Sequence, residues 1–155
     1  MDLTIDVEDY RLNIRVGGII EHENKILLHK ETDKNYYALI GGRIQTGESS
    51  EHAIIREMEE EIGKKVEVKN YIATIENFFE ANDKKYQEIL FVYKMEFTNE
   101  NDKLITKTIK NIEGNDNLNY EWIDINKIDE YDIKPKIIKE ILKDKNFPVH
   151  KINET

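Results

Sequence analysis

Residues 42 to 63 read GRIQTGESSEHAIIREMEEEIG. A glycine turn leads to Glu48, then come Arg56 and Glu57, then Glu60 and Glu61, and Gly63 closes the run. At about 100° per residue on a helix, Glu57, Glu60 and Glu61 fall in one narrow sector. Ala53 falls there too, one turn earlier, and its small side chain is expected to leave that face open. Ile54, Met58 and Ile62 form the adjacent apolar stripe, with Ile55 at its edge. A helix built this way buries one flank and displays carboxylates beside it. Like charges at that spacing repel and weaken a helix slightly. A cation held between them removes the penalty, and hard divalent ions prefer carboxylate oxygens and bridge to substrate phosphates. Glu57, Glu60 and Glu61 are therefore candidate metal ligands. Ser49 or Ser50 is placed to cap the helix, and Gly63 to end it.

This run resembles the Nudix box, whose pattern is G-x5-E-x7-R-E-U-x-E-E-x-G-U with U a bulky aliphatic residue. Gly42 is the first glycine, five residues precede Glu48, and seven more precede Arg56. Glu57, Met58, Glu60, Glu61 and Gly63 then match in order. Lys64 occupies the final aliphatic position, and Ile40 stands where many members carry proline before the paired glycines. Neither departure removes a proposed ligand. The resemblance implies an α/β/α sandwich with a mixed β-sheet, spanning residues 1–155 as a single Nudix hydrolase domain. It also implies hydrolysis of a diphosphate joined to another group, often a nucleoside, with Mg²⁺ or Mn²⁺ as cofactor. Attack on phosphorus builds negative charge on the phosphoryl oxygens, which calls for cations and a positioned water. By the same resemblance the carbonyl of Gly41 is a further metal ligand. The general base is Glu57, Glu61 or a carboxylate outside the box.

Arg56 lies about a quarter turn from Glu57, off the carboxylate sector. Its fork can pair with Glu48 and hold the loop against the helix, a positioning role in catalysis. Arg43 directly follows the glycine turn and is a candidate for a substrate phosphate. Glu59 sits about 200° from Glu57 and should face solvent, as should His52. His22, His29 and His150 have no neighbouring motif. Sites of the resembled family often borrow a carboxylate from a later loop or strand. Glu76, Glu80, Glu88 and Glu121 are available, with Glu88 preferred at the start of the patterned strand QEILFVYKMEF. Tyr36, Tyr37, Phe78, Phe79 and Trp122 could offer base-stacking faces, although Trp122 sits in an apolar strand and reads as core.

The chain of 155 residues suits one domain and needs no staples. It contains no cysteine, so disulfides and thiolate metal sites are excluded. No apolar run is long enough to span a membrane, and the first residues, MDLTIDVEDYRLN, lack a signal-peptide core. A cytoplasmic protein is expected. A net charge of -9 repels a polyphosphate backbone and argues against general nucleic-acid binding. It leaves room for a small phosphoanhydride substrate, because a metal and local cations reverse the potential inside a pocket. Oligomeric state is open, a homodimer included.

Hydrophobic patterning predicts strands over residues 11–20 and 25–30 with a turn at Glu23-Asn24, and a short strand over 36–40. Strands over 66–79 and 86–97 flank a second turn at Asn82-Asp83, and a further strand covers 119–125. Pro135 is placed in the first turn of a helix reaching Leu142, whose Ile137, Ile138, Ile141 and Leu142 have helical spacing. Two other functions share the resembled fold. A non-hydrolytic nucleotide-sensing module is free to lose its carboxylates, yet all three stand here. An isoprenoid-diphosphate isomerase of the familiar form uses a catalytic cysteine, which this chain lacks.

Overall fold

The computed structural model describes residues 1–104 and 117–154. Its elements in chain order are β1 (Thr4–Val7), β2 (Tyr10–His22), β3 (Lys25–Glu31), β4 (Tyr37–Ala38), β5 (Ile40–Arg43), α1 (Ser50–Ile62), β6 (Val66–Ala81), β7 (Lys84–Phe97), β8 (Leu118–Asp124), β9 (Ile133–Lys134), α2 (Ile137–Asp144) and β10 (Val149–Glu154). Both expected hairpin turns form. Glu23 and Asn24 take left-handed φ values of 51° and 62°, and Asn82 and Asp83 take 52° and 61°. Two successive left-handed residues give the turn whose twist matches that of the flanking strands.

The sheet is mixed, with the order β10-β6-β7-β2-β3-β4-β9; β1 and β5 also pair with β2, and β8 with β3. Its centre is the parallel pairing of β2 with β7, in register from Tyr10↔Lys85 to Ile20↔Met95. Alternation along β2 feeds two cores. Val16 and Ile20 point to one face and cluster with Ile54, Met58 and Ile62 of α1. Ile19 points to the other and clusters with Ile138, Ile141 and Leu142 of α2. Burying each such side chain is worth about 1.5–3 kcal/mol, so each helix is held by its apolar stripe. The result is the expected α/β/α sandwich.

Three details differ from the sequence expectation. Ala53 does not leave a face open: it is fully buried in the α1 core. Pro135 precedes the helix, which starts at Ile137 with Lys136 at its N-cap. Pairing of β9 with β4 and the restriction that a proline imposes on its predecessor keep the chain extended through Lys134. Strands β1 and β10 carry too little alternation to be read from sequence. Their tertiary partners define them: β10 lies parallel to β6 from Val149↔Ala73 to Glu154↔Phe78. Among the described residues no helix is long and apolar enough to cross a membrane.

Candidate active site

Helix α1 starts where its sequence says it should. Ser49 is extended, and its side chain accepts a hydrogen bond from the His52 amide at 3.1 Å. At the other end Gly63 adopts φ 68° and its N–H reaches the Glu59 carbonyl. Glu59 and His52 are exposed, as expected. Lys64, the departure from the box pattern, pairs with Asp102 at 3.4 Å.

Arg56 is the hub of the loop. Its Nε donates to Glu48 Oε2 at 2.6 Å and its NH2 to Glu48 Oε1 at 2.8 Å, a two-pronged contact. The same NH2 reaches the Arg43 carbonyl at 3.2 Å, and NH1 reaches Glu57 Oε1 at 3.0 Å and Glu60 Oε2 at 3.1 Å. Glu48 also accepts from the Gln45 amide at 3.0 Å. The guanidinium holds the Glu48 carboxyl below its usual pKa, and the carboxylate in turn raises that of Arg56. Arg56 therefore fastens the loop, as read from sequence, and grips two box carboxylates as well.

The three box glutamates do not sit alike. Glu61 is 4% exposed. Its Oε1 accepts from Tyr120 Oη at 2.7 Å and lies 2.7 Å from His29 Nδ1. His29 and Tyr120 are register partners on β3 and β8, so one sheet rung delivers both to the same oxygen. Glu57 rests against Gly42, where a Cβ would collide with its carboxylate. Glu60 has a side chain 47% exposed and turns outward to Arg56. Glu57 and Glu61 line one cavity of about 390 Å³ together with Gly41, whereas Glu60 does not. Among the described residues no three His, Asp or Glu side chains converge closely enough to hold an ion. The donor set fits a hard divalent cation all the same. Two carboxylates line one cavity beside Gly41, the residue whose carbonyl the family resemblance adds as a third oxygen donor, and Gly42 keeps clear the space that the Glu57 carboxylate occupies.

Adjacent glycines thus carry separable duties. A Cβ on Gly41 would run into the backbone carbonyl of Val16, which β-pairing holds in place. Gly41→Ala is expected to cost about 2 kcal/mol or more, lowering Tm by about 5 °C. A Cβ on Gly42 would meet only the end of a flexible side chain, so Gly42→Ala should melt nearly as the native chain does while displacing Glu57 and losing activity. Melting curves beside a hydrolysis assay separate the two; equal stability losses would show that Glu57 is not what Gly42 accommodates.

A larger cavity of about 550 Å³ adjoins the first, and Arg15, Tyr36, Ala38 and Gly41 line both. Arg43, the sequence candidate for a substrate phosphate, lines neither; its guanidinium lies 3.8 Å from Asp2 on the N-terminal segment. Its strand partner Arg15 takes the cavity position, and Lys30 and Lys34 line the carboxylate cavity. Glu88 is buried and lines the larger cavity, not the one that Glu57 and Glu61 line. Of the other late carboxylates, Glu80 lines that cavity, Glu76 pairs with His150 at 2.6 Å, and Glu121 accepts from Tyr37 at 2.8 Å. Tyr36 and Phe79 line the larger cavity, whereas Trp122 packs on the α1 core. Sequence reasoning passed over Arg15, His29 and Tyr120. Alternation along β2 could have grouped Arg15 with Gly17, the strand partner of Gly41; nothing local marks His29 or Tyr120.

Comparison with known proteins adds to this geometry. The model of the NUDIX domain family matches residues 11–144. The ADP-ribose pyrophosphatase of Methanocaldococcus jannaschii is 42% identical over 74 residues, covering 43% of this chain and 44% of that protein. The match thus spans less than half the length of that curated relative. A NUDIX hydrolase from Nitrosomonas europaea superposes with a TM-score of 0.64 at 19% identity, covering 92% of this chain and 79% of its own. The MutT protein of Methanosarcina mazei Go1 superposes with a TM-score of 0.62 at 20% identity, covering 90% and 95%. These two structural likenesses bear on the fold.

Proposed function

The chain belongs to the NUDIX domain family, and from that premise we propose that it is a Mg²⁺-dependent pyrophosphohydrolase cleaving the diphosphate linkage of a nucleotide or nucleoside diphosphate derivative. One observation carries the reading. The carboxylate cavity and the larger, partly apolar cavity share the wall formed by Arg15, Tyr36, Ala38 and Gly41. A diphosphate lying across that wall puts its scissile linkage beside Glu57 and Glu61 and its organic group in the larger cavity. The ADP-ribose pyrophosphatase likeness supports a substrate of this class.

Glu57, Glu61 and the Gly41 carbonyl are the residues that would hold the ion, with Glu60 joining from the helix face. Bound there, Mg²⁺ supplies positive charge against the charge that builds on the phosphoryl oxygens. The chain's own residues do the rest. Arg15 and Lys30, on the cavity wall, meet non-bridging phosphate oxygens. Glu57 or Glu61 accepts the proton of the attacking water. Tyr120 and His29 fix the Glu61 carboxylate by its Oε1. Arg56 and Glu48 position the loop that carries Gly41 and Gly42, and touch no substrate. Residues 1–155 act as a single domain.

A panel of dinucleotides, nucleoside diphosphate sugars and nucleoside triphosphates, with Mg²⁺ and with chelator, tests the proposal. Hydrolysis of one class at its phosphoanhydride, abolished by chelation, is the expected result. Full activity after exhaustive chelation, or none on any diphosphate, overturns it. Mg²⁺ should also raise Tm by linkage, a readout independent of turnover.

A further inference from the structure

The larger cavity has a floor that β-sheets rarely build. Asn13 of β2 pairs in register with Glu88 of β7, Glu88 with Asn77 of β6, and Asn77 with Asn153 of β10. Four consecutive strands thus place polar side chains on one rung, each at most 9% exposed. The rungs beside it are apolar: Ile75 and Leu90 flank Asn77 and Glu88 on the same face. A buried polar row is costly unless its hydrogen bonds are met.

The row is satisfied at its β2 end. Thr4 Oγ1 donates to Asn13 Oδ1 at 2.6 Å, and Asn13 Nδ2 donates to Glu88 Oε2 at 2.7 Å. At the other end Asn153 Nδ2 donates to Asn77 Oδ1 at 2.8 Å. The middle is left short. A carboxylate can accept about four hydrogen bonds, and a side-chain amide nitrogen can donate two. Among the described residues Glu88 receives the Asn13 bond, with Arg15 at 4.0 Å, beyond hydrogen-bond reach. Asn77 Nδ2 has no partner among them, and it is not sealed from the cavity that Asn77, Glu88 and Asn153 line.

We infer that this floor reads the edge of a guanine-type base, with Glu88 and Asn77 as the specificity-determining residues. The pattern on offer is a carboxylate acceptor beside an amide donor. A guanine edge presents two neighbouring N–H donors, N1 and the exocyclic N2 amine, followed by the O6 acceptor. The donors match Glu88 and the acceptor matches the Asn77 amide. Adenine and cytosine each offer one amine to Glu88 and one ring acceptor to the Asn77 amide, two bonds in all. Uracil brings a single N–H between two carbonyls. Guanine alone places two donors on the carboxylate as well as an acceptor on the amide, three bonds against two for each of the other bases, and a site built on polar partners discriminates against analogues that lack one of them. Glu88 then has no part in metal binding or proton transfer. The inference rests on the diphosphate reading for one thing, the direction in which the ligand's phosphate points, toward Arg15.

Isothermal titration of the full chain, without metal, against GMP, IMP, AMP, CMP and UMP tests it. GMP should bind about tenfold or more tightly than AMP, CMP or UMP. IMP, which lacks only the N2 amine, should bind about tenfold more weakly than GMP, the cost of one hydrogen bond to a charged group. Glu88→Gln should close the gap between GMP and IMP to within about threefold. The native-chain comparison decides alone if that variant does not fold. GMP binding no tighter than UMP, IMP equal to GMP, a gap that persists in folded Glu88→Gln, or no binding at all each overturns the inference. If the GMP ranking holds but no guanine nucleotide diphosphate is hydrolysed, the pyrophosphohydrolase reading fails and the base-reading floor stands.

Discussion

Glu61→Gln is expected to lower kcat by about 10²-fold or more with little change in Tm. The substitution keeps shape. A glutamine oxygen can still accept from Tyr120 and stay beside His29, so the buried contact that Glu61 makes at 2.7 Å with each partner survives. What disappears is one negative charge on a side chain 5% exposed, on the wall of the cavity that Glu57 also lines. Loss of charge weakens cation binding and leaves a poor proton acceptor, and both act on the transition state more than on substrate binding. Glu59→Gln, two positions away and exposed, should be nearly silent. The decisive measurements are kcat, the Mg²⁺ dependence of Tm and the melting curve for both variants. Equal kcat losses at Glu59 and Glu61 would sink the assignment of distinct faces. A Glu61→Gln chain that keeps full activity would remove Glu61 from the chemistry.

Arg56→Ala and Glu48→Ala should each reduce kcat/KM by roughly 10²-fold, since a shift of about 1 Å in a catalytic loop is enough for that. The double variant should be no worse than the poorer single, as for residues acting as one unit. The geometry adds an order. Arg56 also holds Glu57 at 3.0 Å and the Arg43 carbonyl at 3.2 Å, so its loss should be the larger. Arg56→Lys should not rescue, because an ammonium cannot repeat the two-pronged contact with Glu48. A pH series provides a second readout. Glu48 has a depressed pKa in the folded state, so its pairing stabilises the fold fully above the ordinary value of 4.5 and progressively less as pH falls below it. The Tm gap between native chain and Glu48→Gln should therefore narrow in acid. Strictly additive losses in the double-mutant cycle would separate the two residues and make Arg56 a direct phosphate contact.

Much of the site was legible because it is local. Gly42 through Gly63 contains the turn, the cap at Ser49, the apolar stripe of Ile54, Met58 and Ile62, and the partner positions Glu48 and Arg56. Helical geometry converts those spacings directly into neighbours. The same geometry does not tell Glu60 from its two neighbours. Its angular position is that of Glu57 and Glu61, but which side of the sector is covered depends on the sheet under the helix. Glu61 faces the β3–β8 rung of His29 and Tyr120, whereas Glu60 stands at the rim within reach of Arg56. Ala53 was read as a gap for the same reason, and the sheet fills it. For Arg43 the angle was not the difficulty: the chain's first residues reach its strand through the bridge of Asp2 to Gln45 and offer it a carboxylate.

Local chain chemistry is enough to specify the α1 helix and its ends, both hairpins, the clamp between Arg56 and Glu48, and the family to which the chain belongs. All of these rest on interactions between residues close in the chain, or on alternation within single elements. Whatever needs two distant strands side by side arises only in the folded sheet. It brought His29 and Tyr120 to Glu61, joined the carboxylate cavity to the larger one through Arg15, and lined up Asn13, Glu88, Asn77 and Asn153 on one rung. Strand register is set by the global packing of the two cores, and a shift of one residue would turn every one of those side chains to the opposite face.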